Sequence, residues 1–300
     1  MLSHKSWKLE AILRLVLSII VCVCAGSLAV GVVYYNGAPK NRLLFYNVAA
    51  LSFVLMGFAL ALLRRPWGMD MALRRTALTL AVFYGGLVLA IFAGSFAGTI
   101  PEVPTVGQMV IAMLSVQGAA LVLIAAFLRQ QSITWTEAYG FQNNWKRAML
   151  WGALVAFLFL PIAWAMQQTG AFALRHLPHL HLKPQEQLPV QTLEQASSWG
   201  ERTVLGIVTI LLAPAAEEAF FRGIVYPTIK QAGYPRLALW LTSLFFAAIH
   251  KNLIAFVPLL VLAILLTLLY EKFDNLLAPI AAHATFNAVN FALLYIAQSG

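Results

Sequence analysis

One alternation runs through the sequence: stretches of roughly twenty apolar residues, the length an α-helix needs to cross a hydrocarbon core about 30 Å thick, separated by short clusters that carry Lys or Arg. A chain built this way cannot close around a water-soluble core. Of its 300 residues 61% are hydrophobic and 10% charged, and the mean hydropathy is +0.80, which places it with the polytopic membrane proteins. The net charge of +9 does not point to nucleic acid. The basic residues lie between apolar segments, where they act as topology signals, and no nucleic-acid-binding motif accompanies them. Cys22 and Cys24 lie two apart in one apolar run, so they face different sides of a helix and say nothing of redox compartment.

The spacing predicts an all-α transmembrane bundle of about eight to nine membrane helices: an N-terminal run ending near Val33, then residues 43–63, 76–98, 106–128, 148–167, 203–226, 237–250, 254–270 and 276–296. The first run is too long for a signal-peptide core and lacks a convincing cleavage site, so it reads as a retained helix. Segments 237–250 and 254–270 are short for a full span. The chain divides into N-terminal membrane helices without a nameable motif (1–168), an extramembrane or interfacial loop (169–200) and a core that carries the chemistry (201–300). The cluster Arg64, Arg65, Arg74 and Arg75 favours an N-terminus on the inner side and, with nine spans, a C-terminus outside. If the source is bacterial, the expected location is the plasma (inner) membrane.

The loop contains Pro178, Pro184 and Pro189, and its mixed polarity, with Trp199, allows a short helix lying at the interface. Its three histidines, His176, His179 and His181, are a possible metal site. A solvated loop is the favoured reading, since no Cys or carboxylate stands at ligand spacing.

Chemistry concentrates in the last third, where LLAPAAEEAFFRG interrupts an apolar run with two glutamates and an arginine. Each buried charge costs about 2.5–3.5 kcal/mol on insertion scales, so these groups need partners or water. Glu218 and Arg222 are four apart, share a helix face, and read as a neutralising ion pair. Glu217 is turned about 100° from Glu218 and stays available to take a proton from water. Phe246 and His250 again lie four apart, as do His283 and Asn287, with Asn290 farther along. Glu217 as base, His250 as its assistant, and His283 with Asn287 as donors to an oxyanion are the parts of a hydrolase. Glu217, His250 and His283 equally resemble a catalytic zinc set, although no HExxH motif is present. At about 1.5 Å per residue, Glu217 and His283 fall at similar depth, about 10 Å from the inner surface of a ~30 Å core. His250 falls nearer the midplane.

These residues resemble the CAAX-protease and bacteriocin-processing (Abi) family of intramembrane endopeptidases. The family's EExxxR motif corresponds to Glu217, Glu218 and Arg222, its FxxxH to Phe246 and His250, and its HxxxN to His283 and Asn287, all in the family's order. The resemblance covers only about residues 213–290. It implies a membrane fold of about eight spans, with Glu217 activating water, His250 assisting, His283 and Asn287 forming the oxyanion site, and Glu218, Arg222 and Phe246 in support. It also implies a protein or peptide substrate, lipidated in CAAX processing, met within membrane lipid. A divalent metal such as zinc is left open, as is the oligomeric state. Two other functions compete: a proton-coupled transporter using Glu217, His250 and His283 as a relay, and a non-catalytic scaffold that retains the fold.

Overall fold

The computed structural model describes residues 10–17, 19, 103–176, 187–250 and 252–299. Segments 43–63 and 76–98, most of the first apolar run, the arginine cluster at 64–75, Cys22, Cys24, His179 and His181 lie outside them. Among the described residues the regular structure is helical throughout, with no strand. They fall into two compact units, one of Leu128–Gly300 and one within Trp7–Phe127.

In the Trp7–Phe127 unit, residues 10–17 form a helix on which Glu10 and Arg14 pair at 3.8 Å. Helices Val106–Met113 and Ala119–Gln130 flank a π-helical turn, Leu114–Gly118.

The other unit holds α1 (Trp135–Tyr139), α2 (Trp145–Arg175), α3 (Leu188–Gln195), α4 (Trp199–Gln231), α5 (Pro235–Ile249), α6 (Leu253–Phe273) and α7 (Leu277–Ser299). By length and composition α2, α4, α6 and α7 can cross a membrane, whereas α5, with 15 residues, is shorter. The segment expected at 254–270 thus extends to a full 21 residues. The predicted 148–167 is the middle of a 31-residue helix, because the polar end Gln167–Gln168–Thr169 continues the helix without a breaker. The compact unit starts at Leu128, so α2, assigned from the sequence to the N-terminal part, packs with the last helices. Of the loop drawn at 169–200, residues up to Arg175 belong to α2 and Leu188–Gln195 form α3.

Between hydrocarbon and helix there is little hydrophobic force, so membrane helices associate where small side chains let backbones approach. Helix α2 presents Ala148, Gly152 and Ala156 at four-residue spacing, all buried. They meet α7, the helix that α2 packs on most extensively. A Cβ on Gly152 would lie 2.1 Å from the Ala278 carbonyl oxygen. Farther along, Trp164 Nε1 donates to Asn290 Oδ1 at 2.9 Å, so Asn290 ties α7 to α2. Phe159, Leu262, Leu266, Ala282 and Phe286 fill the core between α2, α6 and α7.

Helix α1 braces the α6–α7 turn. Thr134 and Glu137 form a reciprocal capping box that starts it, and Gly140, at φ 69°, ends it in the left-handed region. The Leu276 N–H then donates to the Tyr139 carbonyl at 2.9 Å, and Asn275 Nδ2 to the Asn143 carbonyl at 2.8 Å. The Tyr139 ring lies against Gly223 of α4, where a Cβ would come within 2.4 Å of it. Burial pushes the Tyr139 phenol above the ordinary tyrosine range.

Candidate active site

Helix α4 carries the two glutamates on a block, Ala213–Phe220, that is bounded by two π-helical turns, Val208–Leu212 and Phe221–Val225. A proline comes shortly after each turn: Pro214 and Pro227. Within an α-helix a proline removes one hydrogen bond and its ring crowds the carbonyl four residues back. A wide turn relieves that crowding. The Ala213 N–H reaches back to the Val208 carbonyl, and the Tyr226 N–H to that of Phe221, five residues in each case. Each wide turn inserts one residue into the α pattern and so rotates the next stretch of helix by about 100°.

Glu218 is fully buried and its Oε1 is a meeting point. Arg222 Nη1 donates to it at 2.9 Å, and His283 Nδ1–H, from α7, donates at 2.9 Å. Arg222, also buried, gives Nη2 to the Ala263 carbonyl at 2.9 Å and Nε to Thr267 Oγ1 at 3.4 Å. Its guanidinium lies over the Phe246 ring at 4.7 Å. The buried cation is therefore held by α6 and α5 as well as by its own helix. Thr267 is a member of the cluster that no sequence motif indicated; its hydroxyl also caps the Ala263 carbonyl at 2.9 Å.

With Nδ1 committed to Glu218, His283 turns Nε2 toward Glu217, whose Oε2 lies 4.0 Å away. That is too long for a hydrogen bond. It suits one water held by both: at about 2.8 Å from each acceptor, the two would subtend roughly 90° at the water oxygen, near the angle of its two O–H bonds. The Glu217 side chain is 18% exposed, yet its Oε2 is buried with no hydrogen-bond partner among the described residues. A buried carboxylate oxygen in that state has an unmet demand for a donor.

His250 and Asn287 each hydrogen-bond to main chain. His250 follows the last residue of α5, and its Nδ1–H donates to the Phe246 carbonyl at 2.7 Å. Its ring is 4.9 Å from that of Phe246, which in turn meets the His283 ring edge-on at 5.6 Å. Phe246 thus links His250 to the cluster. Asn287 Nδ2 donates to the Thr209 carbonyl inside the first wide turn, at 2.9 Å. Glu217, Glu218, Arg222, Phe246 and His283 converge; His250 joins at the edge, and Asn287 is anchored to main chain.

Among the described residues no three His, Cys, Asp or Glu side chains come together as metal ligands. Glu217 and His283 supply two donors, but His250 does not complete a set with them, so the residues do not fit the zinc arrangement. In the loop, His176 Nδ1–H donates to the Phe172 carbonyl at 2.9 Å.

Comparison with known proteins agrees with the motifs. Residues 198–289 match the family described as type II CAAX prenyl endopeptidase Rce1-like. A stretch of 96 residues is 33% identical to the uncharacterized protein YpbD of Bacillus subtilis (strain 168), covering 30% of this chain and 47% of that protein. The chain therefore spans about half the length of that relative. No solved structure matches.

Proposed function

We propose that this integral membrane protein, whose residues 198–289 match a CAAX prenyl endopeptidase family, hydrolyses a peptide bond near the membrane surface by means of a water activated between Glu217 and His283. The observation that carries this reading is the 4.0 Å approach of Glu217 Oε2 to His283 Nε2, with His283 Nδ1 fixed by Glu218. The water gives one hydrogen to Glu217 and the other to the Nε2 lone pair of His283, which directs its oxygen lone pair at the substrate carbonyl. As the carbon–oxygen bond forms, Glu217 takes the proton. It returns that proton to the amide nitrogen as the C–N bond breaks, leaving a carboxyl terminus and a free amine. Glu218 acts through His283: its negative charge, shared with Arg222, sets the imidazole tautomer and orientation, as the carboxylate does in a catalytic triad. His250 enters through Phe246 as an edge group of the same cluster.

Within this reading the substrate is a protein or peptide presented from the lipid phase, either a prenylated CAAX sequence or a bacteriocin-like peptide. The test uses the full chain in lipid nanodiscs with an internally quenched farnesylated CAAX peptide and its non-lipidated counterpart. Cleavage abolished by Glu217→Ala is the expected result. Undiminished cleavage by Glu217→Ala sinks the assignment, and proton flux without cleavage favours the relay reading. Stoichiometric zinc in the active protein would replace the metal-free account.

A further inference from the structure

We infer that the end of the bundle where α2 starts and α6 stops holds a seat for one acidic phospholipid: Lys146, Arg147 and Lys272 take its phosphodiester, and an acyl chain lies along α2 below them. The seat is independent of the hydrolytic reading. Lys146 and Arg147 stand in the first turn of α2 and Lys272 in the last turn of α6, far apart in sequence. Asn275 Nδ2 donates to the Asn143 carbonyl at 2.8 Å and Asn143 Nδ2 to the Asp274 carbonyl at 3.4 Å, which ties the two helix ends together. Lys272 Nζ lies 5.4 Å from the centre of the Trp151 ring, and Trp151 shares a helix face with Arg147, four residues before it. Lys146 Nζ lies 5.5 Å from the centre of the Trp145 ring. All three cations are exposed, and among the described residues none has a carboxylate at ion-pair distance. The acidic groups at this end are engaged elsewhere. Glu271 holds Lys230 and Tyr226, Glu137 closes the capping box of α1, and Asp274 borders a polar cavity with Thr134 and Tyr270.

A topology signal requires only that cations stay on one side of the membrane. Gathering three from two helices without a counterion sets like charges against one another, a cost that a bound anion lifts. Lys230, at the same end, shows the other solution, since it is given Glu271. What lies below the cations fixes the class of anion. Arg147, Leu150, Trp151, Leu154 and Leu158 follow the i, i+3, i+4, i+7, i+11 spacing of one helix face, and all of them are exposed, Leu150 at 69% and Leu158 at 62%. From Arg147 to Leu158 is about 16 Å at 1.5 Å per residue, close to the roughly 15 Å of one leaflet of hydrocarbon. A soluble anion would use the cations and leave that face bare, whereas a phospholipid covers both. Arg147 can fork two N–H groups to two phosphate oxygens, and Lys146 and Lys272 add compact charge. A zwitterionic lipid brings the same phosphate with a cation of its own, so three positive charges select the acidic headgroup.

The full chain in detergent micelles is titrated with phosphatidylglycerol or with phosphatidylcholine of the same acyl chains, and native mass spectrometry follows the first lipid bound. A cation near an acidic headgroup is worth about fivefold in affinity, so three should make the acidic lipid bind on the order of 100-fold more tightly than the zwitterionic one. K146Q/R147Q/K272Q should remove most of that preference. R129Q/R175Q/R236Q, which takes away as many exposed cations outside the seat, should keep it. Equal loss in the two triple variants reduces the effect to net charge and overturns the proposal, as does a wild type without preference. Water-soluble glycerophosphoglycerol at the same concentration should not displace the lipid; displacement means a site for a free anion and refutes the lipid as occupant. Should K146Q/R147Q/K272Q not fold, K272Q and R147Q are measured singly. Each is expected to bind phosphatidylglycerol about fivefold more weakly, and unchanged binding in both overturns the proposal.

Discussion

Replacing Arg222 by methionine leaves a chain of nearly the same length over the Phe246 ring but removes the cation. The Ala263 carbonyl keeps a donor in Thr267 Oγ1, so the loss falls mainly on Glu218. Its Oε1 loses the 2.9 Å contact to Arg222 and retains only His283. Breaking a buried ion pair by removing one partner costs about 3–5 kcal/mol, because the other charge stays buried and uncompensated. Glu218→Gln should cost a similar amount for the mirror reason: Arg222, 1% exposed, loses the carboxylate it is hydrogen-bonded to. The double variant R222M/E218Q buries neither charge, and the side-chain amide oxygen it places at position 218 can still accept from His283 Nδ1–H. Its cost should therefore fall at least about 2 kcal/mol short of the sum of the two single costs. Unfolding of the full chain by SDS in mixed micelles, with free energies from the transition, measures all three. An R222M cost below about 1 kcal/mol, or additive behaviour in the double variant, would refute the argument that these charges hold one another in a dry interior.

Glu217→Gln should lower turnover by about 10²- to 10⁴-fold, the usual share of a general base, while leaving SDS resistance equal or higher, since it removes a charge whose Oε2 lacks a partner among the described residues; a parallel loss of stability would mean Glu217 is structural. Gly152→Ala places a Cβ 2.1 Å from the Ala278 oxygen and should cost about 1–3 kcal/mol by forcing α2 from α7, read in the same unfolding assay. Tyr139 keeps its proton above the ordinary value of 10.0 in the folded chain, so the unfolded chain releases it first. Stability is then unaffected below pH 10.0 and falls as pH rises beyond it. Phenolate absorbance should show no Tyr139 contribution near that pH, and one fewer titrating group in Tyr139→Phe would contradict this.

Spans in the described part were legible because the apolar stretches are long and only a few polar groups, Glu217, Glu218 and Arg222 foremost, interrupt them; errors arose at ends, as where α2 runs on through Gln167 and Gln168. The Glu218–Arg222 pair was legible from four-residue spacing, and the separate facing of Glu217 from the adjacent position, since both depend only on helix geometry. The depth argument put Glu217 and His283 at one level, and their side chains approach to 4.0 Å. What the sequence hid depends on tertiary contact. Nothing in HATFN tells that His283 gives Nδ1 to Glu218, or that Asn287 reaches the Thr209 carbonyl. The wide turns had one visible sign, Pro214 and Pro227 on either side of EExxxR, but a proline announces a broken hydrogen bond without saying how the helix absorbs it. Thr267 left no sign, being one hydroxyl in an apolar helix whose role appears only once Arg222 lies against it.

Helix α5 has 15 residues, about 22 Å at 1.5 Å per residue, against a hydrocarbon layer of about 30 Å. A rod that stops short must either draw the lipid in around it or leave its tip submerged, and His250 is at that tip. Thinner bilayers would bring the imidazole up to the headgroups and thicker ones would drown it, so the wetness around His250 becomes a property the surrounding lipid can tune.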